Sequence, residues 1–297
     1  MQNVFKQQLI TLRRRKQLSQ TALARKLYVS RQSISKWENG DAEPGIDKLV
    51  TLAEIFGVTL DFLILDTEKP TDVILKIRNL KKAFTTPVLR GINLNLYGRE
   101  RIALLGSNGA GKSTLAKIIY GKLKPDSGQI ESFISNKDDL RVMPQENILI
   151  EDLKLAEHVQ LTARLNKVYS PAFVTQMIKK FKLDKQSATS VSKLSGGQKR
   201  KLALLLSLLK PSKLLILDEP TVGMDLDAID FFWNYLDHVS GSVLTITHDF
   251  NQIDQYFSRV LLLKNGKIAQ DVSIDKIHSH NQTIEQWYRH FNATEAQ

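Results

Sequence analysis

The chain has 297 residues, 42% hydrophobic and 25% charged, which excludes a disordered or fibrous protein and leaves room for one large domain or two smaller ones. It has no cysteine, which excludes disulfides, thiolate metal sites and cysteine nucleophiles, and no apolar run near the roughly 18 residues that span a bilayer. The net charge of +11 is unevenly placed: residues 1–40 hold nine basic side chains and one acidic, residues 41–70 two basic and seven acidic. The N-terminal MQNVFKQQLI shows no basic segment followed by an apolar one, so a cytoplasmic location is expected.

Through the first 65 residues, apolar side chains recur at helical spacing: Leu9 and Leu12, Leu23 and Leu27, Ile34 and Trp37, then Leu49, Leu52, Ala53 and Phe56. Ser19 and Ser30 stand where N-caps are needed, giving helix, tight turn, helix. Ala24, Val29, Ile34 and Trp37 are expected to bury between the two helices, leaving Arg31, Gln32, Ser33 and Lys36 on the outer face. The segments SQTALA (19–24) and SRQSISKWENG (30–40) resemble a helix-turn-helix domain of the XRE or phage-repressor type, which implies an all-α domain over 1–68. The partner so implied is a double-stranded DNA operator. Arg31 and Gln32 suit bidentate readout of guanine and adenine, with Ser33 and Lys36 beside them. Gln20, Arg13, Arg14, Arg15, Lys16, Arg25 and Lys26 are candidate phosphate contacts.

The polar stretch LDTEKPTD (65–72) reads as a linker, and from Val73 the pattern changes. Short apolar runs at 74–77, 92–96, 102–105, 140–143, 214–217, 243–246 and 260–263 alternate with helical stretches, which predicts an α/β domain over 73–297.

The run at 102–105 leads into Gly106-Ser107-Asn108-Gly109-Ala110-Gly111-Lys112-Ser113-Thr114, a G-x-x-x-x-G-K-[ST] phosphate loop between a strand and a helix. There glycines let main-chain N–H groups turn toward phosphates, Lys112 reaches the β/γ-phosphates and the Ser113 hydroxyl suits Mg²⁺. The run at 214–217 ends in Asp218 and Glu219, acids suited to holding Mg²⁺ and to activating water. Leu194-Ser195-Gly196-Gly197-Gln198 precedes another helix and forms a second anion nest, which a chain with a complete phosphate loop does not need for itself.

With this segment the sequence resembles the nucleotide-binding domain of ABC ATPases from about Val73 to Gly266. The resemblance implies a P-loop α/β fold of mixed sheet with a helical subdomain at about 146–194. It also implies ATP and Mg²⁺ as cofactors, and a homodimer or paired ABC ATPase that sandwiches ATP between the loop at 106–114 and the partner's signature segment. Residue by residue it implies Phe84 stacking on adenine, Gln145 sensing Mg²⁺ and the γ-phosphate, and Asp218 behind the metal. It further implies Glu219 as base, His248 at the γ-phosphate, and Ser195, Gly196, Gly197 and Gln198 acting across the dimer. Asp225 carries over from the segment 222–225, where Val222 departs from the family's usual serine. The implied activity is ATP hydrolysis driving a separate membrane permease, with the chain peripheral at the inner face of the membrane and the N-terminal domain regulatory. A soluble ATP-gated transcriptional regulator without a permease is the alternative. After about Asp271 a single terminal helix with an apolar face is expected.

Overall fold

In a computed structural model, the described residues are 2–16, 18–56, 58, 60–65, 73–134, 139–236, 239 and 241–293. The side chain of Arg15 and the expected linker from residue 66 lie outside them. The chain divides into two compact units, residues 1–70 and 71–297.

Among the described residues the first unit holds five helices: α1 (Gln2–Arg15), α2 (Gln20–Leu27), α3 (Arg31–Asn39), α4 (Ile46–Phe56) and α5 (Leu60–Leu65). The Ser19 hydroxyl accepts the Ala22 N–H at 3.0 Å and the Ser30 hydroxyl accepts the Ser33 N–H at 3.0 Å, so each serine caps its helix. Between them Tyr28 adopts a left-handed φ of 54°, which ends α2 and starts the turn. Leu9, Leu12, Leu23, Ala24, Leu27, Ile34, Trp37, Leu52 and Phe56 fill one core. Among the described residues of this unit, one acid is buried. Glu38, 5% exposed, receives Arg13 Nη2 at 3.0 Å and Gln20 Nε2 at 2.9 Å, while Arg13 Nη1 donates to the Leu18 carbonyl at 2.9 Å.

The second unit opens with β1 (Val73–Ala83), β2 (Pro87–Tyr97), β3 (Arg101–Leu105), α6 (Lys112–Ile119), β4 (Ser127–Ser132) and β5 (Leu140–Met143). It continues through α7 (Leu155–Leu165), α8 (Pro171–Lys180), α9 (Gly196–Ser207), β6 (Leu214–Asp218), α10 (Leu226–Leu236) and β7 (Ser242–Ile246). It closes with α11 (Phe250–Tyr256), β8 (Arg259–Lys264), β9 (Lys267–Ser273), α12 (Ile274–Ser279) and α13 (Ile284–Ala293). Strands β2-β1-β4 form an antiparallel sheet; β5-β6-β7-β3-β8-β9 form a second that is parallel except for β9. Alternate residues of the central strands enter different cores. Ala103, Leu105, Leu215, Leu217, Val260 and Leu262 pack with the helices α7–α10, whereas Ile102, Leu104, Leu214, Ile216, Leu261 and Leu263 pack toward the small sheet. Both faces being covered, these strands are apolar throughout.

The expected single terminal helix is corrected. β9 runs to Ser273, whose hydroxyl caps α12 by accepting the Lys276 N–H at 3.3 Å, and α13 follows separately with Trp287 buried. The segment was too polar to show its edge strand. Among the described residues, no helix is long and apolar enough to cross a membrane.

Burial raises the Glu38 carboxyl, but the hydrogen bonds from Arg13 and Gln20 and the charges of Arg13 and Arg14 outweigh it and hold the group below its ordinary value of 4.5. Its stabilisation is therefore complete above that ordinary value and is lost as pH falls through the lowered one. Hydrogen exchange of α1–α3, corrected for the intrinsic rate at each pH, is expected to stay constant from pH 7 to about pH 5 and to quicken below it. Glu38→Ala, by leaving a cation without its partner, is expected to lower the protection of α1–α3 by about 3 kcal/mol at pH 7.

Candidate functional site

The candidate site lies where β3, β6 and β7 end at one edge of the large sheet. After β3 the chain turns through Gly106, at φ 154°, where a Cβ would stand 2.4 Å from the Leu263 carbonyl oxygen, so only glycine passes that neighbour. Gly111, at φ 103°, abuts Val88 and Leu89 of β2, whose side chains a Cβ would meet at 2.9–3.0 Å. That contact sets the β1–β2 turn beside the loop, and with it Phe84, 60% exposed. Behind Phe84 the Asp126 carboxylate holds the turn, accepting the Ala83 N–H and the Lys82 ammonium, each at 2.6 Å, and the ammonium lies 5.6 Å from the Phe84 ring centroid.

Lys112, at the start of α6, is buried and folds back, donating to the carbonyls of Gly106 at 2.7 Å and Ser107 at 3.0 Å. Burial lowers its pKa, opposed by the charges of Glu219 and Asp218. The N-cap of α6 is Gly111, which has no side chain to satisfy the first N–H groups. Those donors face the loop as an anion cradle.

Asp218 ends β6 at 8% exposure; burial raises its pKa, opposed by the Ser113 side chain and the charges of Lys117, Arg200 and Lys112. Its Oδ1 is buried without a hydrogen-bond partner. A desolvated carboxylate oxygen without a donor, beside a hydroxyl, is the hard-oxygen chemistry that Mg²⁺ takes, so these residues fit that ion. Glu219 follows with φ 48°, strained for a side chain of its size, and its N–H donates to the Ile246 carbonyl at 2.9 Å. Its Oε1 lies 3.3 Å from His248 Nε2, two residues past β7. Burial and the adjacent Asp218 raise the Glu219 pKa, while burial and the Lys112 charge lower that of His248, so near neutral pH the imidazole is uncharged.

Of the other expected residues, Gln145 is exposed two positions past β5, at the same sheet edge. Ser195 and Gln198 form a capping box at the start of α9: the Ser195 hydroxyl accepts the Gln198 N–H at 3.2 Å and Gln198 Oε1 accepts the Ser195 N–H at 3.0 Å. Ser195 and Gly196 are exposed, and a Cβ on Gly197 would come 3.1 Å from the Gly223 carbonyl, so the signature segment packs on the 222–225 loop. Asp225 serves as a helix cap, its Oδ1 accepting the Ala228 N–H at 2.8 Å. One participant escaped the sequence reading. Arg200 of α9 donates to the carbonyls of Asp218 and Glu219 from beneath, and within the motif its only signal was a basic run, Lys199-Arg200-Lys201, that reads as solvent-facing.

In the first unit Arg31, Gln32 and Lys36 are exposed on α3, opposite buried Ile34 and Trp37. The Ser33 hydroxyl pairs with that of Ser30 at 2.9 Å. Gln20 directs its amide N–H to Glu38, and Arg13, expected at phosphates, instead holds that buried acid; a buried carboxylate demands donors before solvent does.

Residues 89–222 match the family model described as ABC transporter, and residues 9–63 match that described as Helix-turn-helix. The matches give the chain a domain of ABC transporter type with a helix-turn-helix domain ahead of it. It is 32% identical over 211 residues to ABC transporter G family member 20 of Dictyostelium discoideum, covering 66% of this chain and 29% of that one. It is 31% identical over 220 residues to the human phospholipid-transporting ATPase ABCA3, covering 67% of this chain and 13% of that one. The chain thus spans under a third of these relatives' lengths. The fold is shared with a solved ATP-binding subunit of an ABC transporter at TM-score 0.68 and 24% identity, over 74% of this chain and 99% of the other. It is shared also with a dimeric ATP-binding cassette in a post-hydrolysis state bound to ADP and Pi, at TM-score 0.61 and 22% identity, over 67% of this chain and 98% of that one.

Two glycine turns, one crowded and one open, separate strain from clash. Gly106→Ala is expected to destabilise the second unit by about 3 kcal/mol in urea unfolding, since it adds a carbonyl collision to an unfavourable φ. Gly121→Ala, at φ 79° with open space around it, is expected to cost only about 1 kcal/mol.

Proposed function

We propose that residues 73–297 bind Mg-ATP, hydrolyse it as a dimer and power a separate membrane permease, and that residues 1–68 bind operator DNA as a regulatory head. The observation that carries the catalytic half is one sheet edge holding buried Lys112, Asp218 with an unpartnered carboxylate oxygen, and the Glu219–His248 pair. On this reading the main-chain N–H groups of 106–114 cradle the phosphates, and Lys112 exchanges its two carbonyl acceptors for β/γ oxygens. Ser113 and Asp218, with Gln145, hold Mg²⁺, which when bound neutralises charge building on the phosphates. Glu219 takes a proton from the attacking water as the new P–O bond forms and the bond to the bridging oxygen breaks, leaving ADP and phosphate. Neutral His248 donates a hydrogen bond toward the γ-phosphate. Phe84 stacks on adenine. Ser195, Gly196, Gly197 and Gln198 present the start of α9 to the nucleotide of the second subunit, with Asp225 bordering that junction.

The permease half is supported by the family and by apolar side chains left exposed at 146–194, among them Ile148, Ile150, Leu161 and Leu165. The DNA half is supported by the helix-turn-helix match and by the exposed face of α3.

Glu219→Gln is expected to keep ATP affinity and to lower hydrolysis by about a hundredfold or more, read by phosphate release. Purified with ATP from detergent-solubilised membranes of the organism that carries it, that variant is expected to bring down a stoichiometric polytopic membrane protein. Recovery of a soluble dimer with DNA alone favours an ATP-gated transcription regulator instead. For the DNA head, operator selection from a random pool followed by Arg31→Ala is expected to cost about 1–3 kcal/mol at one base position, whereas Arg25→Ala lowers affinity uniformly and flattens the salt slope by about one.

A further inference from the structure

Arg200 carries a buried charge in an unusual setting. Lys199 and Lys201 on either side of it are partly exposed, and Lys199 pairs with Glu151 at 2.8 Å, but Arg200 is 3% exposed. Its partners are five main-chain carbonyls and one side-chain amide. Nη2 donates to Asp218 O at 2.8 Å and Glu219 O at 2.6 Å, and Nε to Pro220 O at 2.9 Å. Nη1 donates to Pro144 O and Gln145 O, both at 2.9 Å, and to Asn147 Oδ1 at 3.1 Å. A guanidinium has five N–H groups, so against these six acceptors one Nη1 hydrogen is shared between two of them and none is left over.

Burial lowers the pKa of this arginine, opposed by the charges of Asp218 and Glu219. A desolvated cation is a poor source of stability, because an apolar side chain of like volume often does as well. What the fork does provide is geometry. One edge holds the end of β6, the other holds the loop after β5, and the fork is rigid. Glu219 sits at φ 48°, a conformation that costs about 1–3 kcal/mol and persists only where its surroundings over-determine it. Here the Glu219 N–H is fixed on Ile246 O and its carbonyl on Arg200, so both peptide groups of the strained residue are pinned.

We infer that Arg200 is a positioning residue for hydrolysis: it locks the backbone of Glu219 in register with the Gln145 loop, so that base and loop move as one piece. The inference rests on the ATPase reading above, and it concerns coupling inside the site rather than contact with nucleotide. Lysine keeps the charge but has a single ammonium, which can hold one of the two segments and not fork between them.

The test is steady-state and single-turnover hydrolysis by the full chain, with ATP binding measured separately. Arg200→Lys is expected to fold, to keep KM and ATP affinity within about threefold, and to lower kcat by about a hundredfold, the scale of an ångström-level misplacement. A kcat within about twofold of wild type overturns the inference, as does a KM that rises in step with the loss of kcat, the mark of a generally damaged site. Should Arg200→Lys fail to fold, Asn147→Ala decides: Asn147 is exposed, and its loss loosens only the loop side of the fork. That variant is expected to lose about threefold in kcat at constant KM, the scale of one hydrogen bond, and an unchanged kcat overturns the inference. Wild-type chain that binds ATP without turning it over overturns the ATPase reading itself, and the positioning role with it, so the two failures are told apart.

Discussion

Two carboxylates in succession at the end of a doubly buried strand are the constraint around which the second unit is arranged. Residues Leu214, Leu215, Ile216 and Leu217 alternate between two apolar cores, so the chain leaves β6 with Asp218 and Glu219 still short of water. Burial raises the pKa of both. The surrounding groups answer that cost one by one. The Ser113 hydroxyl and the charges of Lys117, Arg200 and Lys112 ease Asp218, and Lys112 and Arg200 ease Glu219. The left-handed turn at Glu219 lets its carboxylate meet His248 while Asp218 stays with Ser113. Remove the acids and Lys112 and Arg200 become buried charges without counter-charge, which is why cations and acids at this edge have to be understood together.

The same physics decided what could be read from the chain. Strands β3, β6 and β8 were legible because both their faces are covered, which leaves an unbroken apolar run, and β7 keeps the same pattern apart from buried Ser242 and Thr245. Strands β4 and β9 were not: SGQIES and KIAQDVS lie at sheet edges with largely exposed or half-exposed side chains and carry no such signature. β1 extends to Ala83, well past the expected 77, because register shifts around Asn79, at φ 47°, break the alternation that would have revealed it.

Motif residues were legible as a set, yet the motif did not reveal how each is held. Asp225, Ser195 and Gln198 all engage in helix capping, a use that local sequence permits but that only a folded backbone displays. Arg13, Gln20 and Arg200 shared one difficulty. A polar or basic side chain reads as solvent-facing until a buried acceptor is known, and their acceptors, Glu38 and the carbonyls at 144–145 and 218–220, are distant in sequence. The available signal was Glu38 itself, the lone acid among the first 40 residues, next to a core tryptophan.

On the proposed reading the chain binds two polyphosphates by two different means. The candidate nucleotide loop gathers main-chain N–H groups around one buried lysine, so that a bound phosphate meets its donors at contact distance. The first unit has Arg13 turned inward onto Glu38, and the cations that stay exposed, Arg14, Arg25, Lys26, Arg31 and Lys36, are side chains in water. Their field decays over a Debye length of about 8 Å at physiological ionic strength, so it attracts a polyanion of many charges far better than a single nucleotide. Acidic residues outnumber basic ones seven to two at 41–70, so the excess positive charge of this unit belongs to its first 40 residues. On that reading free nucleotide is a poor ligand for the head and duplex DNA a poor fit to the loop, a separation that follows from geometry and charge.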